Sequence, residues 1–279
     1  MKNTRNPHLV YPCSIRSLWD SIWGNRYLVI SLTRREISSR YKGSVFGLLW
    51  SLLTPLFMLL VYTFVFSVVF KARWGEGEEG RGQFAVILFA GLIIHGLFAE
   101  VINRAPQLVL ANTNYVKKVV FPLEILPFVQ LLVGMFNAVI GFIILFCANW
   151  VVGGSFHWTI LYLPLLIIPL AFFILGGAWF LTSIGVYIRD VSQVVVLLTT
   201  IMLFLSPVFF PLKMLPERYQ LWMNANPLTF IIEQVRGITL FGYPPDWMGV
   251  FYYWITSMVV MLLGFVWFQK TRKGFADVL

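Results

Sequence analysis

The chain has 279 residues and a net charge of +9, yet only 12% of its residues are charged, 59% are hydrophobic and the mean hydropathy is +0.80. A soluble domain carries about twice that charged fraction, so a water-soluble globular fold is excluded and an all-α integral membrane protein is expected. The basic balance suits loops facing anionic lipid and requires no nucleic acid. Cys13 and Cys147 lie far apart and offer no disulfide framework.

Residues 1–43 start polar, lack the apolar core of a secretory signal, and are read as a cytoplasmic N-terminal segment. Within them Ile15, Leu18, Trp19, Ile22 and Trp23 recur at helical spacing, opposite Arg16, Asp20 and Ser21. The pattern predicts an amphipathic helix in the membrane interface, or packed on another protein surface. Arg34, Arg35, Arg40 and Lys42 then form a basic collar.

Residues 44–279 read as one transmembrane domain of six spans. The first, about 44–70, contains Pro55 and a stripe of Phe46, Trp50, Phe57 and Phe64, which fall on one helical face at about 100° per residue. A hydrophilic connection with Glu76, Glu78 and Glu79 follows. The second span, about 84–103, holds His95 and ends in Glu100 and Arg104, four apart and able to pair on one face. The third covers about 123–150, the fourth about 158–188 and the fifth about 191–210, where Pro207 and Pro211 disrupt its end. The sixth covers about 248–268. Residues 212–247 are too polar to span in one pass and too apolar for a free loop. Leu228, Phe230, Ile231, Ile232, Val235 and Ile238 predict a helix that dips into the membrane or caps it.

Between the second and third spans lies a short basic stretch, 110–127. Asn112 and Asn114 are expected to cap a short helix carrying Tyr115 to Lys118, and Pro122 to occupy the first turn of the next span. Such a helix is a handle for a soluble partner; a basic loop that merely fixes topology is the competing reading. Lys and Arg concentrate before Ser44, from Arg104 to Lys118, at Arg189 and after Phe268. Lys71, Arg73, Arg81, Lys213, Arg218 and Arg236 fall on the other side. The richer side is cytoplasmic, which places both termini and 110–127 in the cytoplasm and 212–247 outside.

No Gly-Lys pair for a phosphate-binding loop, no Asp-x-Asp, no Gly-x-Ser-x-Gly and no metal-ligand spacing of histidines occurs. No catalytic residue or metal site is therefore expected, and the near-absence of charges within spans favours an external motor over an ion gradient. Aromatic residues make up 17% of the chain. Rings offer flat apolar surfaces to the C–H faces of sugars, so Phe46, Trp50, Phe57 and Phe64 are candidates to line a polymer conduit; packing against another span or facing lipid is the alternative. Arg40 and Lys42 are candidates for a lipid diphosphate, or equally for headgroup anchoring.

Five segments in order carry a family resemblance: Arg-Tyr-Lys-Gly-Ser-Val-Phe-Gly-Leu-Leu-Trp-Ser (40–51), Asn-Tyr-Val-Lys-Lys-Val-Val-Phe-Pro (114–122), Tyr-Ile-Arg-Asp (187–190), Ser-Pro-Val-Phe-Phe-Pro (206–211) and Asn-Pro-Leu-Thr-Phe-Ile-Ile-Glu-Gln-Val-Arg (226–236). Over nearly its full length the chain resembles the permease subunits of type-2 ABC exporters, and within them those that export O-antigen, capsular and teichoic polysaccharides. The resemblance implies a homodimer seated on two copies of a separate nucleotide-binding ATPase subunit. ATP and Mg are bound by that subunit, with no cofactor in this chain. It implies a coupling helix including Asn114, Tyr115, Val116, Lys117 and Lys118, a second ATPase contact at Arg189 and Asp190, an interface helix over 14–30, and outward re-entrant helices over 212–247. The expected substrate is a polysaccharide on undecaprenyl diphosphate, moved from cytoplasm to periplasm across a bacterial inner membrane. Export of a capsular or teichoic polymer, a drug or a lipid, and a non-transport membrane scaffold, remain as alternatives.

Overall fold

The computed structural model describes residues 14–70, 82–117 and 121–279, and among them every regular element is helical. The connection with Glu76, Glu78 and Glu79 lies outside the described residues. Five helices among the described residues are long and apolar enough to cross a membrane: Gly47–Phe66, Gln83–Gln107, Ile125–Val151, Trp158–Tyr187 and Trp247–Val278. The protein is thus an all-helical, multi-pass membrane protein.

Two helices precede the spans. α1 (Ile15–Gly24) begins where the Ser14 hydroxyl accepts from Ser17 N–H, an N-cap. Leu18 is buried, whereas Trp19 and Trp23 are exposed and stack at 5.6 Å. The chain turns at Asn25, and α2 (Arg26–Tyr41) follows. The single interface helix expected over 14–30 is therefore two helices, and the basic collar belongs to the second. Val29 of α2 packs on Ile125 and Val129, which fastens the pair to the start of the third span.

The first span enters as α3 (Trp50–Tyr62) and ends in a π-helical stretch, Thr63–Val69. The wider turn there sets Phe66 against Phe84 and Phe209, at 5.5 and 6.2 Å. α4 (Gln83–Arg104) is buried on nearly every side, the pattern of a helix apolar all round. It is the post around which the others stand. α6 (Ile125–Val151) lies against it through Gly134 and Gly141, seven residues apart; a Cβ at either would sit 3.0 Å from Val101 or Ile93. His95, buried in α4, donates from Nε2 to the Thr199 carbonyl at 3.0 Å, and Thr199 Oγ1 donates to Asn103 Oδ1 at 2.8 Å. His95 is thus accounted for as polar fastening between spans.

α7 (Leu163–Tyr187) and α11 (Trp247–Thr271) touch backbone to backbone. A Cβ on Gly264 would lie 2.1 Å from the Gly176 carbonyl oxygen, and one on Gly176 would lie 2.4 Å from that of Val260. Association within lipid depends on such close packing, because burial from water supplies no drive there.

The fifth expected span departs most from its prediction. α8 (Val191–Phe204) has 14 residues, about 21 Å at ~1.5 Å per residue, and stops before Ser206 and Pro207. Pro207 has no N–H to continue the ladder, so the helix ends where 191–210 was expected to be continuous. α9 (Glu217–Asn224) leaves Leu221 and Trp222 exposed, whereas α10 (Pro227–Arg236) buries Leu228, Ile231, Ile232 and Val235 against α4 and α7. Asn226 caps α10 by accepting from Leu228 N–H at 3.0 Å, and its Nδ2 donates to Ser206 Oγ at 2.8 Å. One residue thus starts α10 and holds the frayed end of α8.

Candidate coupling end and conduit face

One end of the bundle gathers the short helix of the basic stretch, α5 (Thr113–Lys117), the turn at Arg189–Asp190, and a final helix α12 (Phe275–Val278). α12 packs on both α5 and α7. Tyr187 at the end of α7 donates its hydroxyl to Thr271 O at 2.8 Å and meets Phe275 edge-on at 6.0 Å.

Tyr115 is the anchor of α5. Its ring stacks on Phe121 at 4.3 Å with an interplanar angle of 11°, and its hydroxyl accepts from Arg35 Nη2 of α2 at 3.2 Å. Asn114 is exposed. Val116 and Lys117 are part of the helix, and Lys118 lies outside the described residues. Asn112 Nδ2 donates back to Leu108 O at 2.8 Å, and Asn114 lies inside the helix, past the capping position. Pro122 does not open α6; it leads a turn in which Ile125 N–H donates to Pro122 O, and the helix begins at Ile125. Arg189 and Asp190 are exposed, and the Asp190 carbonyl accepts from Gln193 N–H at 3.0 Å at the start of α8.

The turn after α5 is held by charge. Glu124, buried in front of α6, accepts from Arg272 Nη1 at 2.5 Å and from Ser21 Oγ at 2.7 Å. Its backbone carbonyl accepts from Trp179 Nε1 at 3.0 Å, and Arg272 Nη2 donates to Phe121 O at 2.7 Å. The Glu100–Arg104 pair expected along α4 does not exist. Glu100 pairs with Arg40 of α2 and accepts from Asn137 Nδ2 at 2.9–3.0 Å, while Arg104 reaches Glu36 at 2.6 Å. Glu100 and Arg104 thus each find their partner on α2, one a cation and the other a carboxylate.

The remaining candidates flank α3. Trp50 borders a cavity of about 380 Å³ between α3, α4 and α6, whose lining includes Tyr41, Thr54, Glu100 and Asn137. Phe46 precedes α3 and meets Trp50 edge-on at 5.7 Å. Phe57 and Phe64 are more than half exposed on the outside of the chain, so a conduit lined by them needs a wall from another molecule. Lys42 is exposed. Arg40 is committed to Glu100, and its Nε and Nη2 are buried without a partner. Among the described residues no group of three His, Cys, Asp or Glu side chains is placed to hold a metal.

Arg236 was counted in the sequence as an outward-facing loop cation. It is only 1% exposed. Its Nε donates to Ile87 O and its Nη2 to Val208 O, both at 2.9 Å, and Nη1 donates to Pro207 O and to Glu233 at 3.3 Å. Gly91 makes the space: a Cβ there would lie 2.6 Å from Nη2. The signal was present in the sequence, since Arg236 falls four residues after Ile232 and eight after Leu228, on the buried face of α10.

The family described as ABC-2 type transporter matches residues 27–240. The chain is 26% identical over 255 residues to the O-antigen export system permease protein RfbA of Klebsiella pneumoniae, covering 90% of this chain and 95% of that protein. It is 26% identical over 254 residues to the protein of the same name from Myxococcus xanthus, with the same coverage. It is 25% identical over 250 residues to the polysialic acid transport protein KpsM of Escherichia coli, covering 88% of this chain and 94% of that one. With five helices long and apolar enough to cross a membrane among the described residues and a match over most of its length, the chain belongs to the ABC-2 type transporter family, as a membrane permease related to the O-antigen and capsule export proteins.

Proposed function

We propose that two copies of this chain, seated on two copies of a separate ATPase subunit, carry a polysaccharide linked to undecaprenyl diphosphate from cytoplasm to periplasm. The observation that carries this reading is α5. A five-residue helix at one end of the bundle is braced by Tyr115 against Phe121 and Arg35, and the turn that follows is locked to α11. A helix this short has no stability of its own, so bracing of this kind supports a part that must accept force from outside. The sequence holds no phosphate-binding loop, which assigns ATP and Mg to the partner.

In this reading α8 is the sixth span beside the five long helices, both termini lie on the cytoplasmic face of the inner membrane and 212–247 lies on the outer side. The second copy covers the exposed outer faces of α3 and α8, where Phe57, Phe64, Leu197, Leu198 and Phe204 stand open. The wall so completed brings the aromatic stripe to the polymer, and the Arg40 and Lys42 region meets the lipid diphosphate at the entrance. The relatives' names direct the choice of cargo toward O-antigen or capsular polymer.

Purification of the tagged chain from its host in gentle detergent tests the reading. An ATPase and bound glycolipid are expected in the same sample, and K117E/K118E is expected to release the ATPase while the permease stays folded. W50A/F57A is expected to lower polymer export with the ATPase still bound. A chain that isolates without an ATPase in several detergents overturns the proposal.

A further inference from the structure

Five contacts meet at the turn before α6, and they come from four separate parts of the chain. Tyr115 of α5 lies flat on Phe121. The Phe121 carbonyl accepts from Arg272, at the end of α11. The same guanidinium holds Glu124, three residues on. The other oxygen of Glu124 accepts from Ser21 of α1, and its carbonyl accepts from Trp179 of α7. The side chains of Glu124 and Arg272 are 9% and 10% exposed. Trp179 is fully buried and packs edge-on against Phe265 of α11 at 5.2 Å.

A buried ion pair is a poor way to add stability, because desolvation of both charges offsets their attraction. An apolar pair of similar size would hold a static turn as well. A charge-assisted, two-point bond has something packing lacks: it fixes direction, and it resists both pulling and sliding. Here its axis joins the segment that leaves α5 to the end of α11, with side branches to the interfacial helix α1 and to α7.

We propose that Glu124 and Arg272 form the strut that passes displacement of α5 into α11, α7 and α1, so that both act as positioning residues in coupling ATP hydrolysis to transport. This inference rests on the exporter reading above. Push on α5 reaches Phe121 through the stacked Tyr115 ring. Arg272 grips Phe121 and Glu124 together, so the turn moves as one piece with the end of α11. Ser21 ties the same motion to the interfacial helices, which lie against the start of α6 through Val29.

The test is polymer moved per ATP hydrolysed, in proteoliposomes holding the permease with its ATPase. Two variants are compared with wild type: E124Q, which removes the negative charge facing Arg272 and leaves its bond to the Phe121 carbonyl, and E124L/R272M, which replaces the pair by apolar side chains that fill the site. The strut predicts that E124L/R272M folds and assembles with the ATPase, losing no more stability than the freed Phe121 carbonyl and Ser21 hydroxyl account for, while its coupling ratio falls about tenfold or more. R272K, which keeps the charge but cannot grip both oxygens at once, is expected to fall in between. If E124L/R272M transports with the wild-type ratio, the strut is overturned and the pair is structural only, even if E124Q fails to fold. If wild type itself shows no ATPase-driven transport, the exporter reading fails and the strut falls with it. The two failures are read from different samples.

Discussion

At the end that carries α5, helices remote in sequence are joined by ion pairs between side chains: Glu124 with Arg272, Glu100 with Arg40, and Glu36 with Arg104. At the far end of α4 the cation is Arg236, whose charged partner sits only three residues away and whose other donors go to backbone carbonyls of α4 and of the segment after α8. A carboxylate on a side chain can swing and exchange cations, whereas a carbonyl is fixed by the course of the backbone. The first end therefore ties separate helices through side chains, the exposed Glu36–Arg104 pair able to exchange partners and the buried Glu124–Arg272 pair moving as a unit, and the second is built of contacts that hold an unwound segment in one shape. That division suits a molecule receiving force at one end and keeping a seal at the other.

The comparison breaks first at Arg236. R236M would leave the carbonyls of Ile87, Pro207 and Val208 buried without that donor, and should cost about 3–5 kcal/mol of stability, the range for stripping one partner from a buried charge network. Denaturant unfolding in detergent measures it. An unchanged midpoint would remove the far half of the contrast. G264V tests the connection between the ends. Its Cβ would enter the Gly176 carbonyl, so α7 and α11 should separate at about 1–3 kcal/mol, and the same unfolding measurement should report a lower midpoint with Tyr187 and Trp254 both more accessible to quenchers. E36Q gives the smallest effect. The Glu36–Arg104 pair is 35% and 48% exposed, so its loss should shift stability by no more than about 1 kcal/mol, and by less in high salt. A larger loss would show that the charged end is as rigid as the other.

Long apolar runs made the spans visible in the sequence, because a ~30 Å hydrocarbon core demands about twenty such residues regardless of fold. α5 was legible for the same reason in reverse: a short basic stretch between two runs has nowhere to go but the surface. α2 was not, since its charged and apolar residues share no clear face, and only the groove beside α6 gives Val29 and Arg40 their opposite roles. The Glu100–Arg104 spacing invited a local pair, and tertiary partners on α2 replaced it; spacing along one helix says nothing of a second helix laid beside it. Glu124 and Arg272 are 148 residues apart, and no periodicity joins them. Of the candidate site, a short helix forms over 113–117 within the basic stretch, while Phe46, Trp50, Phe57 and Phe64 stand exposed and need a second molecule to become a wall.

α8 covers about 21 Å, some two-thirds of the hydrocarbon core, before Pro207 ends it. With α8 as the sixth span, as proposed, backbone beyond that point cannot be left facing lipid, where each bare carbonyl would cost several kcal/mol. The Arg236 guanidinium therefore does for Pro207 and Val208 what water does for a loop in solution: it hydrates them, from a fixed position and without mobility. A protein that carries its own solvent at this depth can keep an irregular stretch of chain dry. To open that stretch, bulk water has only to take the place of the two hydrogen bonds that Arg236 gives Pro207 and Val208.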